Sequence, residues 1–465
     1  AGNKAGPAIS LSFIMAAIAC ALAALCYAEF ASTVPVAGSA YTFGYATFGE
    51  FLAWILGWDL ILEFAVGASV VSKGWSSYLG SVFGFSGGTV DVGSVTIDWG
   101  AMIIVAVVTT LLVLGTKLSS RVSAVITAIK VAVVLLVIVV GFFYVKAANF
   151  SPFIPPGESG AGAEKSVDSS LFSLITGGGE SSYGWYGVLA AASIVFFAFI
   201  GFDVVATTAE ETRNPRRDVP RGILGSLAIV TVLYVLVTIV VTGMVSYTQL
   251  ATSAGNGEPK NLATAFALNG VTWAEKTIAI GALAGLTTVV MVLMLGQSRV
   301  LFAMCRDGLL PRGLAKTHPR FGTPARLTLL IGLVVFIVAG FFPIDKLEEM
   351  VNVGTLFAFI VVAAGVMILR RTRPDLDRGF TVPGGPIIPV LAILACIWLM
   401  LNLSALTWIR FVIWMVIGVA VYFLYGMRHS MVGKRERGEV EGVDTVSAGA
   451  AASGGPDPSK ERSAL

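Results

Sequence analysis

The chain has 465 residues, of which 56% are hydrophobic and 13% charged; mean hydropathy is +0.85 and net charge +3. A soluble domain carries charge on about a quarter of its residues, so this composition excludes one. The long apolar runs point to a polytopic α-helical membrane protein and exclude a β-barrel, whose strands alternate in short segments.

In chain order, eleven spans are predicted: 8–31, 48–72, 98–116, 122–145, 186–208, 222–243, 275–298, 326–342, 353–369, 386–403 and 408–426. They make residues 1–429 one transmembrane unit, followed by a polar, proline-containing stretch at 430–465 that reads as a disordered tail. A Gly/Ser-rich connection at 157–184 reads as a flexible loop. One set of connections, with the tail, holds 19 Lys and Arg and the other set only seven, so the first set and the C-terminus are expected to be cytoplasmic. An odd span count then places the N-terminus outside. Residues 1–7, "AGNKAGP", show neither an initiating Met nor a signal peptide, so a preceding span is expected to be missing from this chain.

Among the ionisable residues within or beside the spans, where each is costly unless paired or hydrated, six are singled out: Glu29, Asp59, Glu63, Lys130, Asp203 and Arg299. Glu29 and Arg299 lie near span ends and read as interfacial anchors. Asp59 and Glu63 are four apart in "WDLILE" and share a helix face, where a carboxylate can hold a substrate ammonium or exchange protons. The deeper Glu63 is the stronger candidate. Lys130 lies about 13 Å inside its span, too deep to snorkel, and burial suits a lysine to titration. The plain alternatives are a packing role for Lys130, and for Asp59 and Glu63 the solvation of a water-filled crevice or pairing with each other through one proton.

The stretch "FFAFIGFD", Phe196 to Asp203, places aromatics on both sides of Gly201 and ends on an acid. Helix packing would explain the glycine alone. A broken helix explains the whole stretch: freed backbone groups bind substrate, Phe197, Phe199 and Phe202 gate the cavity, and Asp203 caps the resuming half-helix. No phosphate-cradling loop is present. Cys20, Cys26, Cys305 and Cys396 form neither a disulfide framework nor a metal-ligand spacing, and His318 and His429 lie in basic polar stretches. No enzyme activity, catalytic residue, metal, cofactor or nucleic-acid partner is expected.

At these residues the chain resembles the amino acid–polyamine–organocation superfamily, and within it the cationic amino acid transporter branch. The matching stretches are "AGPAISLSFIMAAIACALAALCYAEFASTVPVAGSAYTFGYATFGEFLAWILGWDLILEF", "FFAFIGFDVVATTAEETRNPRRDVPRGI", "RDGLLP" and "NVGTLFAFIVV", and the likeness runs from about residue 5 to residue 429. The resemblance implies a five-plus-five inverted repeat with two further C-terminal helices, here eleven spans lacking the first helix. It implies alternating access around a midplane site, with 186–208 as the family's sixth, discontinuous helix. Phe197, Ala198 and Ile200 then fall where backbone carbonyls meet the substrate ammonium, with Gly201 at the break and Phe197 also as the aromatic gate. Glu63 matches an acidic position near the site, Leu293 lines the side-chain pocket, and Lys130 falls where relatives place a lysine consistent with proton coupling.

The function expected is therefore a secondary active amino acid permease of the plasma membrane. Its partners are an amino acid, coupling protons and the lipid bilayer. A non-transporting amino acid sensor and a polyamine or amino acid exchanger are the alternatives. With Leu293, Met291 and Met294 apolar, small or medium neutral amino acids are expected to be carried at least as well as arginine.

Overall fold

The computed structural model of the chain describes residues 2–33, 39–83, 88–93, 95–115, 120–159, 167–176, 181–207, 212, 214–250 and 261–431. The expected disordered tail, apart from its first two residues, lies outside them. Helix α1 (Ile9–Thr33) is followed by a short helix α2 (Ser39–Phe48), in a stretch read from the sequence as a connection, and by α3 (Glu50–Phe83). Helix α3 runs well past its expected end at 72, because Lys73 finds a partner. Its Nζ lies 3.5 Å from Asp98 Oδ2, and Asp98 Oδ1 also accepts from Ala101 N at 3.0 Å, capping α4 (Trp99–Val113). The antiparallel hairpin β1 (Thr89–Val92) and β2 (Val95–Asp98), with Thr89 opposite Asp98, returns the chain to that point.

Next come α5 (Ser120–Phe142), α6 (Gly184–Val195) and α7 (Phe202–Thr207). Helix α8 (Pro215–Met244) opens on a proline, which suits a first turn whose N–H groups have no helical acceptor. The short α9 (Leu262–Leu268), with Asn261 and Thr264 forming a reciprocal cap, leads into α10 (Thr272–Arg306). After α11 (Ala325–Phe341), α12 (Ile344–Thr372) starts earlier than the expected 353, since Asp345, Glu348 and Glu349 suit the positive end of a helix. Helices α13 (Ile387–Leu401) and α14 (Ala405–Val421) complete the order.

Among the described residues, seven helices are long and apolar enough to cross a membrane and four more are shorter and apolar. This is an all-α polytopic membrane protein. The helices pair in order: α1 packs on α8, α3 on α10 and α4 on α11. Helix α3 is the hub, touching α2, α4, α10, α11, α12 and α14. Small residues permit the closeness: a Cβ on Gly332 of α11 would lie 2.4 Å from Thr109 of α4. Helix α14 docks through Trp58 and Trp414, stacked at 4.7 Å, each indole donating to the other's backbone carbonyl.

The connection at 157–184, expected to be flexible, is tied down where it is described. Leu171 N donates to Leu403 O at 2.9 Å, Ala405 N to Ser169 O at 3.0 Å and Leu406 N to Val167 O at 2.8 Å. The turn between α13 and α14 offers it backbone partners that composition does not reveal.

Candidate functional site

The helix entering at Gly184 is interrupted. After Val195 it tightens to a 3₁₀ turn over Phe196–Phe199; Ile200 is extended (φ −64°, ψ 139°), and Gly201 has φ +121°. No heavy atom stands within 4 Å of where a Gly201 Cβ would be, so the glycine is required by backbone conformation and not by space. The chain resumes as α7 at Phe202. Asp203 occupies its first turn, where a carboxylate suits the helix dipole; its side chain lies outside the described ones, and so does the capping role expected of it.

The first half of the broken helix is anchored by its own carbonyls. Ser12 of α1 donates to Val188 O at 2.7 Å, Asn352 of α12 to Ser193 O at 2.8 Å, and Tyr234 of α8 to Ala198 O at 2.8 Å. Of the carbonyls expected to meet a substrate ammonium, Ala198 O thus already accepts one bond and Phe197 O accepts from Ile200 N at 3.2 Å. A carbonyl has two lone pairs, so each retains capacity. Phe197, Ala198, Ile200 and Gly201 are half-buried, while Phe199 and Phe202 are buried.

The three expected gating rings occupy different surroundings. Phe199 packs into α1 and α8, 6.2 Å from Phe13 and 5.2 Å from Tyr234. Phe202 sits 5.8 Å from Tyr27 and 5.0 Å from Phe359. Phe359 also meets Phe196 at 5.9 Å, so one ring of α12 contacts both sides of the break. Phe197 lies at the edge of this packing.

The remaining expected residues lie elsewhere. Glu63 is buried on α3, on the same face as Gly67, where a Cβ would lie 3.7 Å from Leu293 Cδ1 and 3.9 Å from Val351. Leu293 and Glu63 therefore share the seam where α3, α10 and α12 meet. Helix α12 joins this seam to the break: Val351 and Gly354 face α3, while Asn352 and Phe359, about 100° round the helix, face α6 and α7. Lys130 is separate. It is half-buried in the middle of α5, its stem beside Gly285 of α10, where a Cβ would lie 3.3 Å from Lys130 Cγ. Helix α5 packs on α8 and α10, so the structure does not bring Lys130 to Glu63.

Glu29 is not an interfacial anchor. It is 2% exposed and accepts from Arg370 Nε at 2.8 Å, from Arg370 Nη2, and from Val382 N at 2.7 Å, with Arg378 Nε at 3.7 Å. Its partners lie on α12 and in the connection to α13, which folds back against α1; Ser32 Oγ also accepts from Phe380 N at 3.1 Å. Arg299 lies seven residues inside α10, which continues to Arg306, so it too is away from a helix end.

Sequence reasoning missed Tyr234, Asn352, Phe359 and the arginine partners of Glu29. A lone Tyr in "VLYVLV" and a lone Asn in "MVNVG" were the available signals.

A family model described as amino acid permease matches residues 1–432. The chain belongs to this family. The permease is similar to a branched-chain amino acid permease of Bacillus subtilis, 44% identical over 441 residues that cover 92% of this chain and 88% of that one. It is also similar to a methylthioribose transporter of the same organism, 41% identical, covering 93% and 89%. A vacuolar cationic amino acid transporter 4 of Arabidopsis thaliana is 36% identical, covering 81% of this chain and 59% of its own length. The permease is a multi-pass membrane transporter and not an enzyme.

Proposed function

We propose that the permease carries amino acids across the plasma membrane by proton-coupled alternating access, with its C-terminus in the cytoplasm. The observation that carries this reading is the interrupted helix. Between Val195 and Phe202 the backbone leaves the helical pattern inside a bundle, which is tolerated only where it lines a cavity or is buried in protein. Half-buried Phe197, Ala198, Ile200 and Gly201 present acceptors to a substrate ammonium, Phe197 and Phe202 gate them, Phe199 backs the gate, and Glu63 adds a carboxylate. Asp203 supports the start of the resuming half. Lys130 exchanges the coupling proton.

The side-chain pocket is read as apolar, since Leu293, Met291 and Met294 are all buried. It suits a small or medium neutral amino acid, in keeping with the relative named for branched-chain substrates. The relative named for methylthioribose supports a second reading, in which the substrate is a thioether sugar with neither α-carboxylate nor α-ammonium.

Uptake into proteoliposomes separates the two. Labelled leucine or alanine should accumulate under an inward proton gradient, and excess unlabelled neutral amino acid should compete better than arginine. Displacement by a thioether ribose alone would overturn the amino acid reading; binding without flux would favour a sensor. Lys130→Met should abolish the response to the gradient, and unchanged uptake would leave Lys130 a packing residue. Orientation has its own test: Ser159→Cys should react with an impermeant reagent from outside and Asn214→Cys should not.

A further inference from the structure

Asp59 lies one turn before Glu63 on α3 and is 0% exposed. Among the described residues neither of its carboxylate oxygens has a hydrogen-bond partner. The backbone of α12 closes directly over it: a Cβ on Gly354 would stand 2.9 Å from Asp59 Oδ1. Only glycine at 354 lets the two helices meet there without displacing the carboxylate.

Among the described residues no cation is placed to neutralise it. Along α3 the next ionisable group is Glu63, itself acidic. On α12 the nearest charges at this end are Glu348 and Glu349, more than a turn from Gly354, and Lys346, two turns away, is bonded to Asp168 at 2.7 Å. On α10, Gln297 and Met304 face α3, and Arg299 falls about 150° round the helix from that stripe. Helix α2 offers Tyr41 and Tyr45, which are hydrogen-bonded to Asp307 and Glu50. Helices α4 and α9 have no charged residue; Arg326 lies in the first turn of α11, and Arg410, in the second turn of α14, acts on Asp168 and Lys346. A carboxylate in this position would be a buried charge with no partner among the described residues, whereas the protonated acid is neutral.

We propose that Asp59 is a proton-binding site of the permease, protonated while α12 covers it and exchanging its proton with water only when α12 draws away from α3. Taking up a proton forms an O–H bond between a carboxylate oxygen and a proton from hydronium. Release breaks that bond, leaves the electron pair on oxygen and returns the proton to water on the other side of the membrane. As a coupling step this rests on the proton-coupled reading above, with Asp59 acting in addition to Lys130.

The test uses the full-length protein in lipid. Infrared spectra of wild type minus Asp59→Asn should contain the carbonyl stretch of a protonated carboxylic acid at neutral pH, and that band should take up deuterium when substrate is added. A carboxylate band in its place overturns the proposal. In proteoliposomes, Asp59→Asn should retain exchange of labelled for unlabelled substrate without a pH gradient and lose gradient-driven accumulation. Unchanged gradient-driven accumulation also overturns it. If wild type itself exchanges substrate but ignores the gradient, the proton-coupled reading fails independently. The infrared result then decides Asp59 alone: a substrate-dependent deuterium shift supports the site, and its absence removes it.

Discussion

Glu29 and Asp59 are both acids, both buried in apolar helices, and treated oppositely by the fold. Glu29, near the C-terminal end of α1, receives a two-pronged guanidinium, a backbone N–H and a second arginine nearby. Asp59, deeper in α3, receives nothing from the described residues. A buried charge survives only when its lost hydration is replaced by paired, hydrogen-bonded groups. The first acid therefore belongs to the architecture, binding the connection between α12 and α13 onto α1. The second binds no other element through a hydrogen bond among the described residues, which is why the proposed proton site rests on it.

The sharpest way to break this comparison is to truncate the paired acid. Glu29→Ala strands Arg370 and Arg378 beside an apolar helix and is expected to cost about 3–5 kcal/mol, the range for breaking a buried pair. Denaturation in detergent should register this as a large fall in midpoint; a fall no larger than that of a surface mutant would mean the pair is idle. Gly354→Ala comes next. Its methyl would press on Asp59 Oδ1 at 2.9 Å, and overpacking of this kind costs about 1–3 kcal/mol. The same denaturation assay should place it below Glu29→Ala, and the double variant Gly354→Ala/Asp59→Ala should recover part of the loss. No recovery would show that the helices repack without reference to the acid.

Asp59→Asn should change stability by less than about 1 kcal/mol, since no pair is broken and the volume is kept. A collapse comparable with Glu29→Ala would reveal a structural partner and erase the contrast. The smallest effect is expected from a third acid, Asp168, which is exposed and bonded to Lys346 at 2.7 Å. That hydrogen bond holds the Asp168 carboxyl below its ordinary range. A depressed carboxyl contributes stability above its unfolded value and loses it as pH falls through the folded one. Amide exchange at Leu171, corrected for the intrinsic rate, should therefore quicken only in acid and should be weakened by salt at neutral pH. A change setting in near neutrality would exclude Asp168 as its source.

Much of the membrane architecture was legible because it follows from composition and local backbone chemistry. Long apolar runs must become helices when no water is present to satisfy the backbone, and "FFAFIGFD" marks an interruption because Gly201 adopts a φ of +121° that other residues resist. Helix ends were less legible. Lys73 and Glu349 look like charges that should stop a span, yet Asp98 pairs with one, and Ser404 and Thr407 donate hydrogen bonds to the other.

The sequence by itself determined that this chain is a helical membrane protein, where most of its apolar segments lie, and which few ionisable residues are costly there. Those properties depend on residue type and on neighbours within a turn or two. Only the tertiary structure decided which of the costly residues are satisfied. Arg370 reaches Glu29 across 341 positions and Gly354 closes on Asp59 across 295, and whether a buried charge is compensated depends on distances of a few ångströms between helices that sequence order leaves far apart.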